Sequence, residues 1–426
     1  MVFTQVDTAQ KRLDDHLPYA GEAAVADVRR LAQALLGARV LHVSSTPYGG
    51  GVAELLHTIV PLMRDAGLDA QWFVLDGAPL EFFEVTKKIH NTLQGMEDAL
   101  TPEEWTLYGD VNRSLAAVFP EGPWDFVVIH DPQPLLAGAM ARGSAAAGGK
   151  AEGARWFWRC HIDLSTPLES TWQRLHPLVN QYDGAIVTSC EYAREEIAIP
   201  IARITPSIDP TSPKNLPLDR GRARAVLSEF GVDPDRPLLV QVSRFDPWKD
   251  PFGVIDAFRI VKADYPVVQL ALVGSIALDD PEGVRLLDDL KQAAGGNPDA
   301  HVLSNQDGVH AAEVAAFQQE ADVVIQKSVR EGFGLTITEG MWKARPVVAG
   351  QATGCRLQIE DGRSGYLIGS TEECAARIVQ ILSDPGLGQA LGHEARETVR
   401  RRFLSTTHVA RYLSLFSQGS GRKQEA

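Results

Sequence analysis

Cysteine is scarce in this chain. Its 426 residues hold four, Cys160, Cys190, Cys355 and Cys374, and none forms a C-x-x-C pair. Zinc ribbons and disulfide frameworks need paired spacing, so neither is expected, and free thiols suit a reducing compartment. A basic excess is also missing: Lys and Arg number 41 against 55 Asp and Glu, a net charge of −14. Nucleic acid and anionic membrane both call for positive surface, so neither is an expected partner. No apolar run reaches the roughly 18 residues of a membrane span. The start, MVFTQVDTAQKRLDDHL, lacks the basic-then-apolar build of a secretory signal, and a cytoplasmic protein is expected. A G-x-G-x-x-G turn followed by an acidic residue is absent, which argues against a dehydrogenase. No Asp pair or His cluster reads as a metal-ligand set, so no metal site is expected.

What is present is ordinary globular composition, 44% hydrophobic and 23% charged, in a chain long enough for two cores. Short, continuous apolar runs alternate with helical patterns. The first series is Arg39–Ser44, Ala70–Leu75, Phe126–His130, Arg155–Cys160 and Gly184–Thr188. The second is Pro237–Ser243, Gln269–Gly274, His301–Leu303, Val323–Gln326 and Pro346–Ala349. Strands covered by helices on both faces read this way, which predicts an α/β fold of two doubly wound parallel sheets. The proline-rich stretch TPSIDPTSPKNLPLD, 205–219, separates the series and is the expected linker. The expected organisation is one Rossmann-like domain over 1–210 and a second over 211–400. A C-terminal helix and tail follow over 401–426, the helix able to pack on either domain and the last residues expected to fray. Ligands in such sheets sit outside the carboxyl ends of the strands, so a deep cleft between facing domains is the expected site.

Three segments carry chemistry. LHVSSTPYGGGVAELL, 41–56, places Gly49, Gly50 and Gly51 between a strand and a helix. The triplet is either a tight turn or a place where backbone approaches a ligand. VSRFDPWKDP, 242–251, puts Arg244 and Lys249 in a loop at a strand's carboxyl end, where a planar fork and a point charge can converge on one anion. VREGFGLTITEGMWKARPV, 329–347, joins Glu331, a glycine turn at Gly334, a helix beginning near Leu335–Thr336, and Glu339 one turn into it. Free N–H groups at such a helix start form an anion site. The plainer readings are a solvated surface pair of cations for Arg244 and Lys249, and a helix-capping carboxylate plus an ordinary exposed one for the two glutamates.

Arg-x4-Lys after one strand and E-G-F-G-L-x3-E after a later one together resemble the retaining glycosyltransferases of family 4, with the GT-B fold. The resemblance implies that Arg244 and Lys249 neutralise a nucleoside diphosphate, Glu339 holds the ribose and Glu331 contacts donor-sugar hydroxyls. VIHDPQP at 128–134, WRCHIDLSTP at 158–167 and EGMWKARPVV at 339–348 are further similar to the trehalose glycosyltransferring synthases, whose pattern trehalose phosphorylases largely share. The resemblance thus implies a transfer from ADP-, UDP- or GDP-glucose to free glucose, giving α,α-trehalose, without a required cofactor. It leaves the base and any Mg2+ dependence open. It also implies a homodimer.

Asp131 follows a strand end and can accept a hydrogen bond from an acceptor hydroxyl, with Gln133 beside it; its alternative task is to cap a helix. His161 also ends a strand, and the resemblance places it against the sugar undergoing transfer. A diphosphate is a good leaving group, so catalysis would be mostly positioning and charge stabilisation. The rivals are a phosphorylase using phosphate and a non-catalytic sugar- or nucleotide-binding module of the same fold.

Overall fold

The architecture is that of a computed structural model in which residues 1–146, 153–276 and 281–418 are described. The expected frayed tail, 419–426, lies outside them. The chain divides into two compact units, Met1–Ser207 with the chain from Ser405, and Ile208–Leu404.

The first unit contains β1 (Val2–Gln5), β2 (Arg39–Ser44), β3 (Asp69–Asp76), β4 (Phe126–His130), β5 (Arg155–Arg159), β6 (Gly184–Val187) and β7 (Ile201–Arg203). They form one sheet in the order β1-β3-β2-β4-β5-β6-β7. Only β1 runs antiparallel, against β3. Side chains of β2 alternate between two buried clusters. Leu41 and Val43 join the helices Leu80–Leu93, Pro102–Ala116 and Glu169–Val179, while Val40 joins Glu22–Ala32, Gly51–Asp65 and Ser405–Ser417. Both faces are therefore covered, and this is why the strands lack a polar face. Local signals agree with the packing. Thr101 and Glu104 form a capping box at the start of Pro102–Ala116, and Leu55, Leu56 and Ile59 bury one face of Gly51–Asp65.

The second unit contains β8 (Leu238–Arg244), β9 (Gln269–Ser275), β10 (Ala300–Ser304), β11 (Val323–Gln326), β12 (Val347–Gly350) and β13 (Tyr366–Ile368). All pair in parallel, in the order β10-β9-β8-β11-β12-β13. In sequence terms this is 3-2-1-4-5-6, the order of dinucleotide-binding sheets, whose direction reverses between the first and fourth strands. That point falls between β8 and β11. In the first unit the corresponding reversal falls between β2 and β4. Ligands of such sheets bind where loops diverge on either side of the reversal.

Three strands escape the sequence pattern. β1 is exposed along most of its length, and β7 and β13 have three residues each, too few to show a period.

Candidate active site

The loops on either side of the β8/β11 reversal carry the residues singled out in the second unit. Arg244 is the last residue of β8, with its side chain 61% exposed and Nη2 3.4 Å from Asp246 Oδ2. The chain then turns through Pro247–Lys249, where Asp246 accepts from the Trp248 N–H at 2.9 Å. Lys249 points inward, and its Nζ donates to Glu331 Oε2 at 2.7 Å. Two residues read separately in the sequence thus form one ion pair across adjacent loops. The loops are tied by backbone as well, Val329 N donating to Trp248 O at 2.9 Å. Asp250, at φ 47°, caps the helix Pro251–Asp264 and is paired with Lys327.

Gly334 sits at φ +84°, in the left-handed region where a Cβ is costly. A Cβ there would also stand 3.1 Å from Cγ and Cδ of Glu331. The helix Leu335–Trp342 follows directly, and no side chain among the described residues caps its start. The N–H groups of Leu335 and Thr336 are therefore among the orphan donors of a helix N-terminus. Gln358, fully buried, holds the turn: its Nε2 donates to Phe333 O at 2.5 Å and to Gly334 O at 3.2 Å, and its Oε1 accepts from Thr338. Nothing in the sequence pattern marked Gln358. Only the folded turn shows the three carbonyls it gathers, that of Gly354 being the third.

Glu339 is buried and paired. Its Oε1 accepts from Lys214 Nζ at 2.6 Å, and its Oε2 from Gln318 Nε2 at 3.3 Å. Lys343 stands beside it, donating to Lys214 O and Gln318 Oε1, and burial pushes its pKa down to about 8. Lys214 was also illegible in sequence. It lies in the proline-rich stretch, which is ordered here: Asn215 donates to Asp209 O, and Trp342 Nε1 donates to Asn215 O.

In the first unit the glycine loop follows β2. Gly49 has φ +88°, whereas Gly50 is extended and leads into the uncapped helix Gly51–Asp65. A Cβ at either Gly49 or Gly50 would meet no atom within 4 Å. The loop is anchored from below: His57 Nε2 donates to Pro47 O at 2.9 Å, Tyr48 stacks on the His57 ring, and Trp72 donates to Ser44.

Across the β2/β4 reversal, Asp131 follows β4 with φ 60°, an uncommon conformation for a non-glycine residue and one that concentrates at functional sites. Its N–H donates to Arg159 O, its carbonyl accepts from Trp158 Nε1, and its Oδ1 accepts from the His161 N–H at 2.8 Å. Asp131 and His161 are thus brought together through β4 and β5. Burial raises the Asp131 carboxyl to about 6, against the opposing pull of the His161 N–H and the Arg159 guanidinium. Gln133 is half-buried, and its Oε1 meets no donor among the described residues. No group of three or more His, Cys, Asp or Glu among the described residues could hold a metal.

Residues 42–194 match the family described as trehalose synthase, N-terminal domain, and residues 226–398 match glycosyl transferases group 1. The trehalose synthase of Rubrobacter xylanophilus is 46% identical over 97% of this chain and 98% of its own. The trehalose phosphorylase of Grifola frondosa is 27% identical over 95% of this chain and 60% of its own. Among solved structures, one described as trehalose-6-phosphate from E. coli bound with UDP-2-fluoro glucose superposes with a TM-score of 0.70 at 15% identity, over 89% of this chain and 99% of that one. That likeness extends to the fold, GT-B, with its pair of parallel-sheet units. The matches span the β8 and β11 loops and the glycine loop alike, and the chain belongs to the trehalose synthase family of group 1 glycosyltransferases.

Proposed function

We propose that this chain transfers glucose from a nucleoside-diphosphate glucose to free glucose, with retention, giving α,α-trehalose reversibly. The observation that carries the reading is the cluster at the β8/β11 reversal. An exposed Arg244, the Lys249–Glu331 pair and the uncapped helix start at Leu335–Thr336 stand together in a chain nearly half identical to a trehalose synthase.

In this reading Arg244, Lys249 and the N–H groups of Leu335 and Thr336 stabilise the departing diphosphate, and Gly50 and Gly51 are further donor-binding residues. Glu331 turns from Lys249 towards donor hydroxyls, and Glu339 grips the ribose. Asp131, Gln133 and His161 hold the acceptor glucose. The glycosidase scheme of acid plus carboxylate nucleophile fits poorly, because this reading gives Glu339 to the ribose and a diphosphate leaves without general-acid help. Catalysis is then positioning and charge stabilisation, and the leaving phosphate oxygen takes the acceptor's proton. A homodimer is the proposed assembly.

Arg244→Ala and Lys249→Ala should each lower turnover by about 100-fold or more, as losing a transition-state charge donor does, with circular dichroism unchanged. Near-normal turnover in both would remove the diphosphate assignment. The donor is identified by incubating the protein with trehalose and ADP, UDP or GDP, or with trehalose and phosphate. Sugar nucleotide is the expected product. Glucose 1-phosphate instead would favour the phosphorylase reading, which the Grifola likeness keeps in view.

A further inference from the structure

Three imidazoles stand in line across neighbouring strands of the first unit. His42 lies on β2, His130 ends β4, and His161 follows β5 by two residues. His42 Nδ1 is 3.0 Å from His130 Nε2, and His130 Nδ1 is 3.0 Å from His161 Nε2. Successive ring centroids are 5.3 Å apart. The line starts in the core, with His42 fully buried against Tyr412, and ends at the half-buried ring of His161 beside Asp131.

Desolvation favours the neutral form of all three rings. Burial lowers His42 to about 3, and burial, with neighbouring imidazoles and the Arg159 guanidinium, holds His130 and His161 well below the usual imidazole range. A neutral imidazole has one N–H and one bare nitrogen, so each contact needs one donor and one acceptor. Only two arrangements satisfy both contacts. In the first, protons sit on Nδ1 of every ring, and His161 presents an Nδ1–H away from the line. In the second, they sit on every Nε2, and the line ends in a His42 Nε2–H. His42 Nε2 is buried and meets no partner among the described residues. The second arrangement would strand a donor there, the rarer and costlier defect, whereas the first leaves only an unused lone pair.

We propose that His42 and His130 are positioning residues that fix His161 as an uncharged Nδ1–H donor, which gives a hydrogen bond to a hydroxyl oxygen of a bound glucosyl unit. The substrate half of this rests on the glucosyl-transfer reading; the proton arrangement does not. With its only proton committed to donation and Nε2 already accepting, His161 has no site from which to act as a base. Asp131, bonded to the backbone of the same residue, is the acceptor beside it. A donor and an acceptor side by side match adjacent sugar hydroxyls, one taking and one giving a proton, without any proton transfer.

The test reads imidazole nitrogens in protein labelled with 15N-histidine at about pH 7, without substrate. His161 signals are assigned by their loss in His161→Asn. The expected spectrum shows His161 protonated at Nδ1 and bare at Nε2, and the reverse overturns the proposal. In His130→Leu the ring is released and the Nδ1–H form should lose its dominance. In His130→Asn, where the amide can stand in for the Nδ1–H donor, it should persist. Turnover should follow, kcat/KM falling by about tenfold or more in the Leu variant, the scale of one hydrogen bond, and recovering in the Asn variant. Equal losses in both, with the His161 tautomer unchanged, would reduce His130 to a packing residue and overturn its role. The spectrum is read on free protein, so failure to find a nucleotide-sugar substrate would strike the functional reading and not this one.

Discussion

Asp131 joins three unusual properties: a left-handed backbone, a bond to the His161 N–H, and a carboxyl raised to about 6. Because the folded value lies above the ordinary carboxylate range, the folded state binds the proton more tightly than the unfolded chain. Its contribution to stability is full below about pH 4 and is lost as pH rises through about 6. Function runs the other way, because the ionised carboxylate is the stronger acceptor of a hydroxyl's hydrogen bond. The kcat/KM profile for transfer should carry an acid limb near pH 6, and His161 and His130, held well below the usual imidazole range, cannot supply it. In Asp131→Asn the limb should vanish and kcat/KM should drop. A limb retained in that variant would assign it elsewhere. Residues of this kind were only partly legible in sequence. Asp131 and His161 end predicted strands and so announced themselves. His42 and Arg159 sit inside apolar runs, and Lys214 in a proline-rich stretch; their partners lie far along the chain and meet only after folding.

At the scale of the element, the turns separate two kinds of glycine. Gly334 is needed by its own backbone and by Glu331, which a Cβ would crowd. Gly50 is needed by neither, since its backbone is extended and a Cβ would meet open space. Gly50→Val should therefore fold with an unchanged melting temperature and, under the proposed donor assignment, still bind nucleotide yet transfer poorly. Unaffected transfer would reduce the loop to a turn. Gly49→Val serves as the contrast, because φ +88° imposes about 1–2 kcal/mol of backbone strain on any β-carbon. The longer strands were legible for a simple reason. Burial on both faces produces continuous apolar runs, and Arg39–Ser44, Phe126–His130 and Val323–Gln326 are observed where those runs predict them. β1 carries no such signature because its burial is partial and its one strand neighbour among the described residues is β3.

Over the whole molecule, the chain enters the second unit at Ile208 and leaves it at Leu404. The helix Ser405–Ser417 then belongs to the first unit, where Val409, Tyr412, Leu413 and Phe416 are buried and Phe416 stacks on Phe126 at 4.3 Å. Ser207 and His408 are joined at 2.9 Å, close to the points where the chain leaves and re-enters this unit. Four such side chains, at about 1.5–3 kcal/mol each, bury as much free energy as a typical domain's entire net stability. A chain ending at Leu404 should thus keep a cooperatively folded second unit while the first loses its sharp unfolding transition, as calorimetry would show. Two undiminished transitions would mean that the helix is dispensable.

The same helix orders events in time. A ribosome makes Met1–Ser207 first, but the residues that close its core emerge only after the whole of Ile208–Leu404. Until then the half of the protein that begins first must wait with Phe126, Phe157 and His42 uncovered, and nascent chains stalled before Ser405 should be the ones that chaperones hold longest.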